Sequence, residues 1–280
     1  MTLAAAVPVY NGARTLERVL AAVRRELAAA GGAELLVIDD GCVDASPKIA
    51  QAANARVIAL GANLGRGAAR SRIMAETDAE FVLMCDATVE LPEGFVERAL
   101  RYLQEAQVAA VFGPMETAPP KGVADRWRKR HLFKAGSGSQ EFSSGALLAT
   151  WACVLRSSAV RAAGGFDPAL RANEDADLGA RLLAAGHKVI FAPELSATSI
   201  SSDTVATVIE RYVRWNTQGR IQWRGYLRQI AYAIKVMARE DFAAGDWPAA
   251  FVSLLTPHAQ WWASRKMPVA EPKTAGRDKT

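Results

Sequence analysis

Short apolar runs recur along the chain at residues 3–9, 34–38, 56–60, 80–85 and 108–113, and the segments between them carry apolar residues at helical spacing. Leu16, Val19, Leu20, Val23 and Leu27 fall at i, i+3, i+4, i+7 and i+11, a single stripe along one helix face, with Thr15 as its predicted N-cap. Asp44 is placed to cap the next helix, with Pro47 in its first turn. Strands that alternate with helices predict an α/β fold: a mostly parallel central sheet flanked by helices, with a ligand outside the carboxyl ends of the strands. Farther on the pattern becomes helical throughout. Tyr226, Ile230, Ala233, Ile234 and Met237 make an apolar stripe beside Arg220, Arg224 and Arg228, and residues 246–268 add Trp247, Phe251, Leu254, Leu255, Trp261 and Trp262. The predicted divisions are an α/β domain over 1–203, a C-terminal amphipathic helical extension over 204–267 and a disordered tail over 268–280.

With 280 residues, half of them apolar and 22% charged, the chain can bury one large core or two smaller ones. Its three cysteines, Cys42, Cys85 and Cys153, are odd in number, far apart and set in apolar or turn contexts. That argues against a disulfide framework or a zinc site and for a reducing, cytoplasmic compartment. The opening MTLAAAVPVYNG has no basic n-region and reads as a first strand rather than a signal peptide. No apolar stretch approaches the ~20 residues needed to span a bilayer. The net charge of +5 is uneven: residues 121–134 hold six Lys/Arg against one Asp, and residues 204–239 hold seven against Glu210 alone. Two basic segments on an otherwise acidic body predict an anionic partner: phosphate, phospholipid headgroup or nucleic acid. The first, with Trp127 and Phe133 among its arginines, reads as a flexible region suited to a membrane edge or an anionic acceptor, and no nucleic-acid module is recognisable. Aromatics beside Lys/Arg in the C-terminal helices fit peripheral docking on a membrane, and equally a helix pair packed on the body or a dimer contact.

The turn after the first strand reads PVYNGART, with the single glycine Gly12, so the Gly-x-Gly-x-x-Gly of a dinucleotide-binding domain is absent. GANLGRGAAR (61–70) lacks the Gly-Lys-Ser/Thr of a P-loop. What the strand ends carry is polar. Pro8, Tyr10 and Asn11 shape a turn in which an aromatic ring can cover a base and an amide can reach its edge. Asp39 and Asp40 end the second strand, and adjacent carboxylates repel unless something hydrogen-bonds them; one of the pair suits simple capping of the turn. Arg66 and Arg70 lie one helical turn apart, placed to lean toward a diphosphate. Asp86 ends the strand FVLMC, with Thr88 two positions on. NEDADL (173–178) opens a helix with Asn173 as its cap and clustered carboxylates in its first turn, which the helix dipole favours in any case. Arg211 and Arg214 face the same way on a helix that continues to Trp215, a flat stacking surface for a sugar ring.

Five of these segments, in order, resemble the family 2 glycosyltransferases and their A-type nucleotide-sugar-binding fold: VPVYN (7–11), VIDDGCVD (37–44), NLGRGAAR (63–70), CDATVELPEGF (85–95) and GGFDPALRANEDADLGARLLAAGHKV (164–189). RYVRW (211–215) is similar to the Gln/Arg-x-x-Arg-Trp motif of lipid-glycosylating and processive members, and the likeness runs from about Val7 to Trp215. The resemblance implies an inverting glycosyltransferase that moves a sugar from a UDP- or GDP-linked donor to a hydroxyl of a lipid-linked, glycan or protein acceptor. Single additions are expected, because processive members thread their product through membrane helices. It also implies cell-envelope polysaccharide biosynthesis at the inner face of the membrane. On the matching positions it implies that Asp175 is the general base and that Glu174 bonds the acceptor or braces the site. Asp40 is implied to accept a hydrogen bond from a uracil-type base, and Pro8, Tyr10, Asn11, Asp39, Arg66, Arg70, Asp86, Arg211, Arg214 and Trp215 to serve donor binding.

In the family pattern a divalent cation, Mg2+ or Mn2+, bridges the donor phosphates, held by an Asp-x-Asp carboxylate and often by a histidine after the last core strand. Here Asp86 is followed by Thr88 at the second position, and ELSATSISSD (194–203) has no histidine. Either Asp86 with waters, or with Glu90 as a substitute, holds a weakly bound metal, or Arg66, Arg70, Arg211 and Arg214 supply the charge that stabilises the leaving diphosphate. The missing ligands also raise an alternative function: a catalytically silent relative that binds nucleotide sugar or serves as a scaffold in a glycan-assembly complex.

Overall fold

Each apolar run of the first 113 residues becomes a strand in the computed structural model; all but Arg56–Ala59 at the sheet edge are buried on both faces and so read as continuous rather than alternating. The structure describes residues 2–32, 34–117, 119, 122–132, 143–201, 203–217 and 219–266; the tail beyond 266 lies outside them, as do Lys121, Phe133 and Lys134. The chain divides into two compact units, residues 1–118 with 139–201, and residues 119–138 with 202–280.

The first unit contains, in chain order, β1 (Leu3–Val9), α1 (Ala13–Ala29), β2 (Glu34–Asp39), α2 (Ser46–Ala52), β3 (Arg56–Ala59), α3 (Arg66–Glu76), β4 (Phe81–Cys85), β5 (Val89–Glu90), α4 (Phe95–Tyr102), β6 (Val108–Phe112) and β7 (Met115–Thr117). After α5 (Val123–His131), which belongs to the second unit, it resumes with β8 (Ala152–Arg156), α6 (Ser157–Ala162), α7 (Glu174–Ala184), β9 (Lys188–Phe191) and β10 (Ala197–Ser199). Seven strands form one sheet in the order β3-β2-β1-β4-β8-β6-β9, parallel except where β8 runs against β4 and β6. A second, three-stranded sheet has the order β5-β10-β7.

Alternate residues of each strand feed different cores. Ala5, Val7, Leu35 and Val37 pack with the α1 stripe, while Ala6, Leu36, Ile38, Val82 and Met84 pack with Ile73 of α3 and Leu178 of α7. Each buried Leu, Ile or Val side chain is worth about 1.5–3 kcal/mol against exposure, so these two layers hold the sheet. The helix starts differ in detail from the pattern. α1 begins at Ala13 with Gly12 as N-cap, and Thr15 instead donates its hydroxyl to the Ala87 carbonyl at 2.7 Å. Asp44 accepts from both Ser46 N and Ala13 N at 3.0 Å, fastening two helix starts at once. Glu26, buried on α1, accepts from Gly94 N at 3.1 Å and Val96 N at 3.2 Å and so caps α4 from outside it.

The second unit joins α5 to α8 (Val205–Asn216), α9 (Trp223–Tyr232), a π-helical segment (Ala233–Ala238), α10 (Arg239–Ala243) and α11 (Trp247–Ser264). Trp127 is fully buried among Val208, Tyr212, Met237 and Val252, and its Nε1 donates to Ser253 Oγ at 2.8 Å. Ser253 Oγ in turn donates to Asp241 Oδ2 at 2.6 Å, and Asp241 Oδ1 takes bonds from Arg130 and His131. Arg126 makes a two-pronged pair with Asp246 at 2.7 and 2.9 Å, and Arg128 donates to Asp203 at 2.8 Å. This corrects the flexible basic region expected around 121–134. Its described part is a helix whose tryptophan is core and whose arginines are each matched by an acid of their own unit.

Burial by itself would raise the Asp241 carboxyl, but the bonds from His131, Ser253 and Arg130 outweigh it and hold the group below the ordinary carboxylate range. The Arg126 guanidinium holds Asp246 down likewise. Folded values below the unfolded ones mean that this stabilisation is complete above pH ~4 and is lost as pH falls through the depressed values. The melting midpoint of the chain should therefore drop as pH is lowered below ~4. Asp241→Ala, which strands Arg130 and His131, should cost about 3–5 kcal/mol and blunt that acid response. Melting curves of the two proteins across this range check it, and coincident curves would exclude the role.

Candidate active site

β2 and β4 lie on either side of β1 and run parallel to it, so Asp40 just past β2 and Asp86 just past β4 flank the turn that follows β1. Tyr10 stands exposed in that turn and Pro8 is half-buried at the end of β1. Asn11, at φ +52°, accepts from Val43 N at 2.9 Å and donates its own N–H to Cys42 Sγ at 3.2 Å. Burial pushes the Cys42 thiol up to about 11 against the pull of that N–H, so it acts as a neutral joint between the β1 and β2 turns. Of the paired aspartates, Asp39 is the turn cap, accepting from Cys42 N at 2.7 Å. Asp40 accepts from Leu64 N at 2.7 Å, Gly65 N at 3.0 Å and Asn63 Nδ2 at 3.3 Å. These bonds fix the loop entering α3.

The two glycines of that loop are required by what crosses it. Gly65 has φ +98°, a region L side chains avoid, and a Cβ on Gly67 would meet the carbonyl oxygens of Asp167 and Leu170 at 2.3 Å. The close crossing lets Gly67 N donate to Leu170 O at 3.0 Å and Arg171 Nη1 to Asn63 O at 3.0 Å. The segment that leads into α7 is thereby laid across the start of α3.

Arg70, one turn into α3, is 1% exposed. The i, i+4 spacing with Arg66 suggested that both lean outward to a diphosphate; Arg70 instead turns inward, where Nη2 donates to Asp86 Oδ1 at 2.7 Å and Nη1 to Glu174 Oε1. Arg66, partly exposed, places Nε 3.7 Å from the same Glu174 oxygen. One guanidinium thus ties the end of β4 to the first turn of α7. Cys153 of β8 lies beneath this cluster: burial drives its thiol pKa up, Arg70 pulls the other way, and Asp86 and Asp175 add to the rise.

The first turn of α7 holds three acids with three fates. Glu174 is fully buried and paired with Arg70. Asp177 pairs with Arg181 at 2.6 Å. Asp175 is half-buried; Oδ1 accepts from Ala176 N at 2.9 Å, and Oδ2 receives a long 3.5 Å contact from the Thr150 hydroxyl. Thr150 had no signal in the sequence pattern. Its neighbour Trp151 accepts from Asp86 N at 2.8 Å, so 150–151 links Asp86 to Asp175 by a second route. Asn173 does occupy the N-cap position, at φ +64°, without a side-chain bond.

The strand end offers a divalent cation few protein ligands. Asp86 already accepts from Arg70, and Glu90 is paired with Arg18. Ile200 N donates to Thr88 O at 2.9 Å, so residues 194–203 do lie beside this strand end, but they carry Thr198, Ser199 and Ser201 there and no histidine. Among the described residues no three His, Cys, Asp or Glu side chains gather as a metal site. Arg211, Arg214 and Trp215 lie on α8 in the second unit; Arg211 is bound there by Asp203 at 2.9 and 3.2 Å, and burial lowers its pKa.

A mostly parallel sheet with carboxylates beyond its strand ends and a helical extension defines the A-type glycosyltransferase fold. S. aureus TarS superposes with a TM-score of 0.58 over 95% of this chain and 89% of that one at 16% identity. The mannosyltransferase PcManGT of Pyrobaculum calidifontis, solved with GDP-Man and Mn2+, does so at 0.55 over 94% and 72% at 14% identity. The family model described as glycosyl transferase family 2 matches residues 5–162, and the chain belongs to that family. It is 29% identical over 196 residues to a pre-mycofactocin glycosyltransferase of Mycobacterium tuberculosis, covering 67% of this chain and 40% of the relative. It is 26% identical over 236 residues to the succinoglycan biosynthesis protein ExoA of Rhizobium meliloti, covering 80% and 70%. The chain therefore spans about two fifths of the length of the first of these curated relatives.

If Arg70 is the joint of the site, Arg70→Met should lose about 3–5 kcal/mol by stranding buried Glu174, and Arg70→Met/Glu174→Met should regain most of it. Denaturant unfolding of the two variants measures this; additive losses would refute the pairing.

Proposed function

We propose that the chain is an inverting glycosyltransferase that moves a sugar, in single additions, from a nucleoside diphosphate sugar to a hydroxyl of a lipid-linked, glycan or protein acceptor, in cell-envelope glycan synthesis on the cytoplasmic side. The observation that carries this reading is the sorting of acids on α7: Glu174 and Asp177 are neutralised by arginines, while Asp175 keeps an oxygen with only a long contact from Thr150. Such a carboxylate can take the acceptor proton as the acceptor oxygen bonds to the anomeric carbon and the bond to the diphosphate breaks on the opposite face. Tyr10 and Asn11 at the β1 turn serve the base, and Arg66 the diphosphate. Family membership and fold neighbours bound to GDP-Man or UDP-GlcNAc support a nucleoside diphosphate sugar as donor.

Asp175→Asn should reduce turnover, measured as transfer or as donor hydrolysis without acceptor, by about 10²–10⁴-fold. Thermal shifts with nucleotide sugar should persist, because the donor contacts remain. Equal hydrolysis by the variant would sink the base assignment. Donor binding by a wild type that never turns over would favour the silent scaffold.

The same reading assigns leaving-group charge to arginine more than to metal, since Asp86 offers a single carboxylate that Arg70 already bridges. Turnover should accordingly persist in excess chelator, and Arg66→Gln should raise KM for the donor. Complete loss of turnover in chelator, restored by Mn2+, would defeat this assignment.

A further inference from the structure

Helix α11 is apolar on the side that faces water. Its 18 residues, Trp247–Ser264, include no Asp, Glu, Lys or Arg. One side is core, with Ala249, Val252, Ser253, Thr256 and Gln260 buried. On the other side Trp247, Phe251, Leu255, His258 and Trp262 recur at helical spacing and fall within an arc of about 80°, at about 3.6 residues per turn. Trp247, Phe251 and Trp262 are 72%, 69% and 73% exposed. The outer face of a surface helix is ordinarily polar, and isolated exposed apolar residues need no account, but a contiguous stripe does. The stripe extends at one end to exposed Phe242, whose ring lies 4.8 Å from that of Trp247. At the other end exposed Trp223 of α9 lies 6.0 Å from Trp261.

The surroundings of the stripe are cationic. Residues 219–266 hold seven Lys/Arg against three acids, and two of those acids, Asp241 and Asp246, are buried in the pairs already described. Arg224 and Arg228 project from α9, and Arg265 and Lys266 follow α11 directly, all exposed. No helix among the described residues is long and apolar enough to cross a membrane.

We propose that this face of the second unit docks on an anionic lipid bilayer, with the α11 rings at the boundary between headgroups and acyl chains and the flanking Lys/Arg on the headgroups. Tryptophan suits that depth because its ring is apolar and its N–H polar. Acidic headgroups meet the basic residues with opposite charge. A second copy seated on the same face by a two-fold axis would set these cations against one another, which disfavours that occupant. Docking is independent of the donor-site reading, since nucleotide-sugar binding is measured without lipid and either can fail alone.

Flotation of the full chain tests this, with vesicles of phosphatidylcholine or of phosphatidylcholine and phosphatidylglycerol in equal parts. The wild type should partition at least about tenfold more onto the anionic vesicles, less as salt rises, and its tryptophan emission should be quenched by brominated acyl chains. Trp247→Ser/Phe251→Ser/Trp262→Ser should lose at least about tenfold of that binding with unchanged melting, since the replaced side chains face water. Arg224→Glu/Arg228→Glu should abolish the preference for anionic lipid, and this variant keeps the test open should the triple variant fail to fold. Absent wild-type binding at low salt, absent quenching, or a triple variant that binds as the wild type does would each overturn the proposal. So would a wild-type dimer that the triple variant turns into a monomer.

Discussion

A guanidinium shut off from water must have its charge met by the protein, and Arg70 is met by Asp86 on one side and Glu174 on the other. The carboxyl edge of the sheet depends on this one group. Arg70 holds the end of β4 against the start of α7, two points far apart in sequence. Successive residues on a helix diverge by about 100°, so drawing Glu174 inward fixes the direction of Asp175 beside it. The loop glycines belong to the same construction. Asp40 pins residues 63–65, and the bare backbone at Gly67 lets the 167–171 segment cross close enough to deliver α7.

The joint also sets the electrostatics of the strand end. The charges of Asp86 and Glu174 are balanced by Arg70 with Arg66 nearby before any ligand arrives. A divalent ion added there would have to share Asp86 with a guanidinium, while an added diphosphate would find Arg66 still partly exposed. The same balance explains why the three acids of α7 differ. Their sequence positions suit the helix dipole equally, and their arginine partners distinguish Glu174 and Asp177 from Asp175, on which the proposed base role rests.

The strands and the α1 stripe were legible because burial writes itself into local periodicity. β8 was not: it is a five-residue strand, four of its residues buried without alternation, that enters antiparallel between β4 and β6. The small sheet was hidden for another reason, since β5, β7 and β10 are two or three residues each and exist only by pairing with one another. At the site, the family resemblance gave Asp86, Glu174 and Asp175 their expected roles, but sequence could not show that Arg70 joins the first two. It could not separate Arg66 from Arg70, whose spacing is equivalent and whose burial is opposite, nor tell which of Asp39 and Asp40 caps its turn. Those distinctions arise from contacts across more than twenty to a hundred residues of chain, which no local window contains.

The two basic segments show the same limit most plainly, because their sequence signal is alike and their outcomes diverge. Arginines interleaved with aromatics describe both 121–134 and the helices after 204. In the first, Asp246, Asp203 and Asp241 come back from later in the chain, neutralise Arg126, Arg128 and Arg130, and allow Trp127 to be buried among them. Those pairings take up acids that would otherwise offset the cations of α9 and of the residues after α11. What remains outside is a helix with no charge of its own, with exposed Arg224 and Arg228 on α9 and Arg265 and Lys266 just after it. The internal ion pairs of the second unit therefore both build its core and leave its outer face apolar and positive, a combination that water alone does not favour.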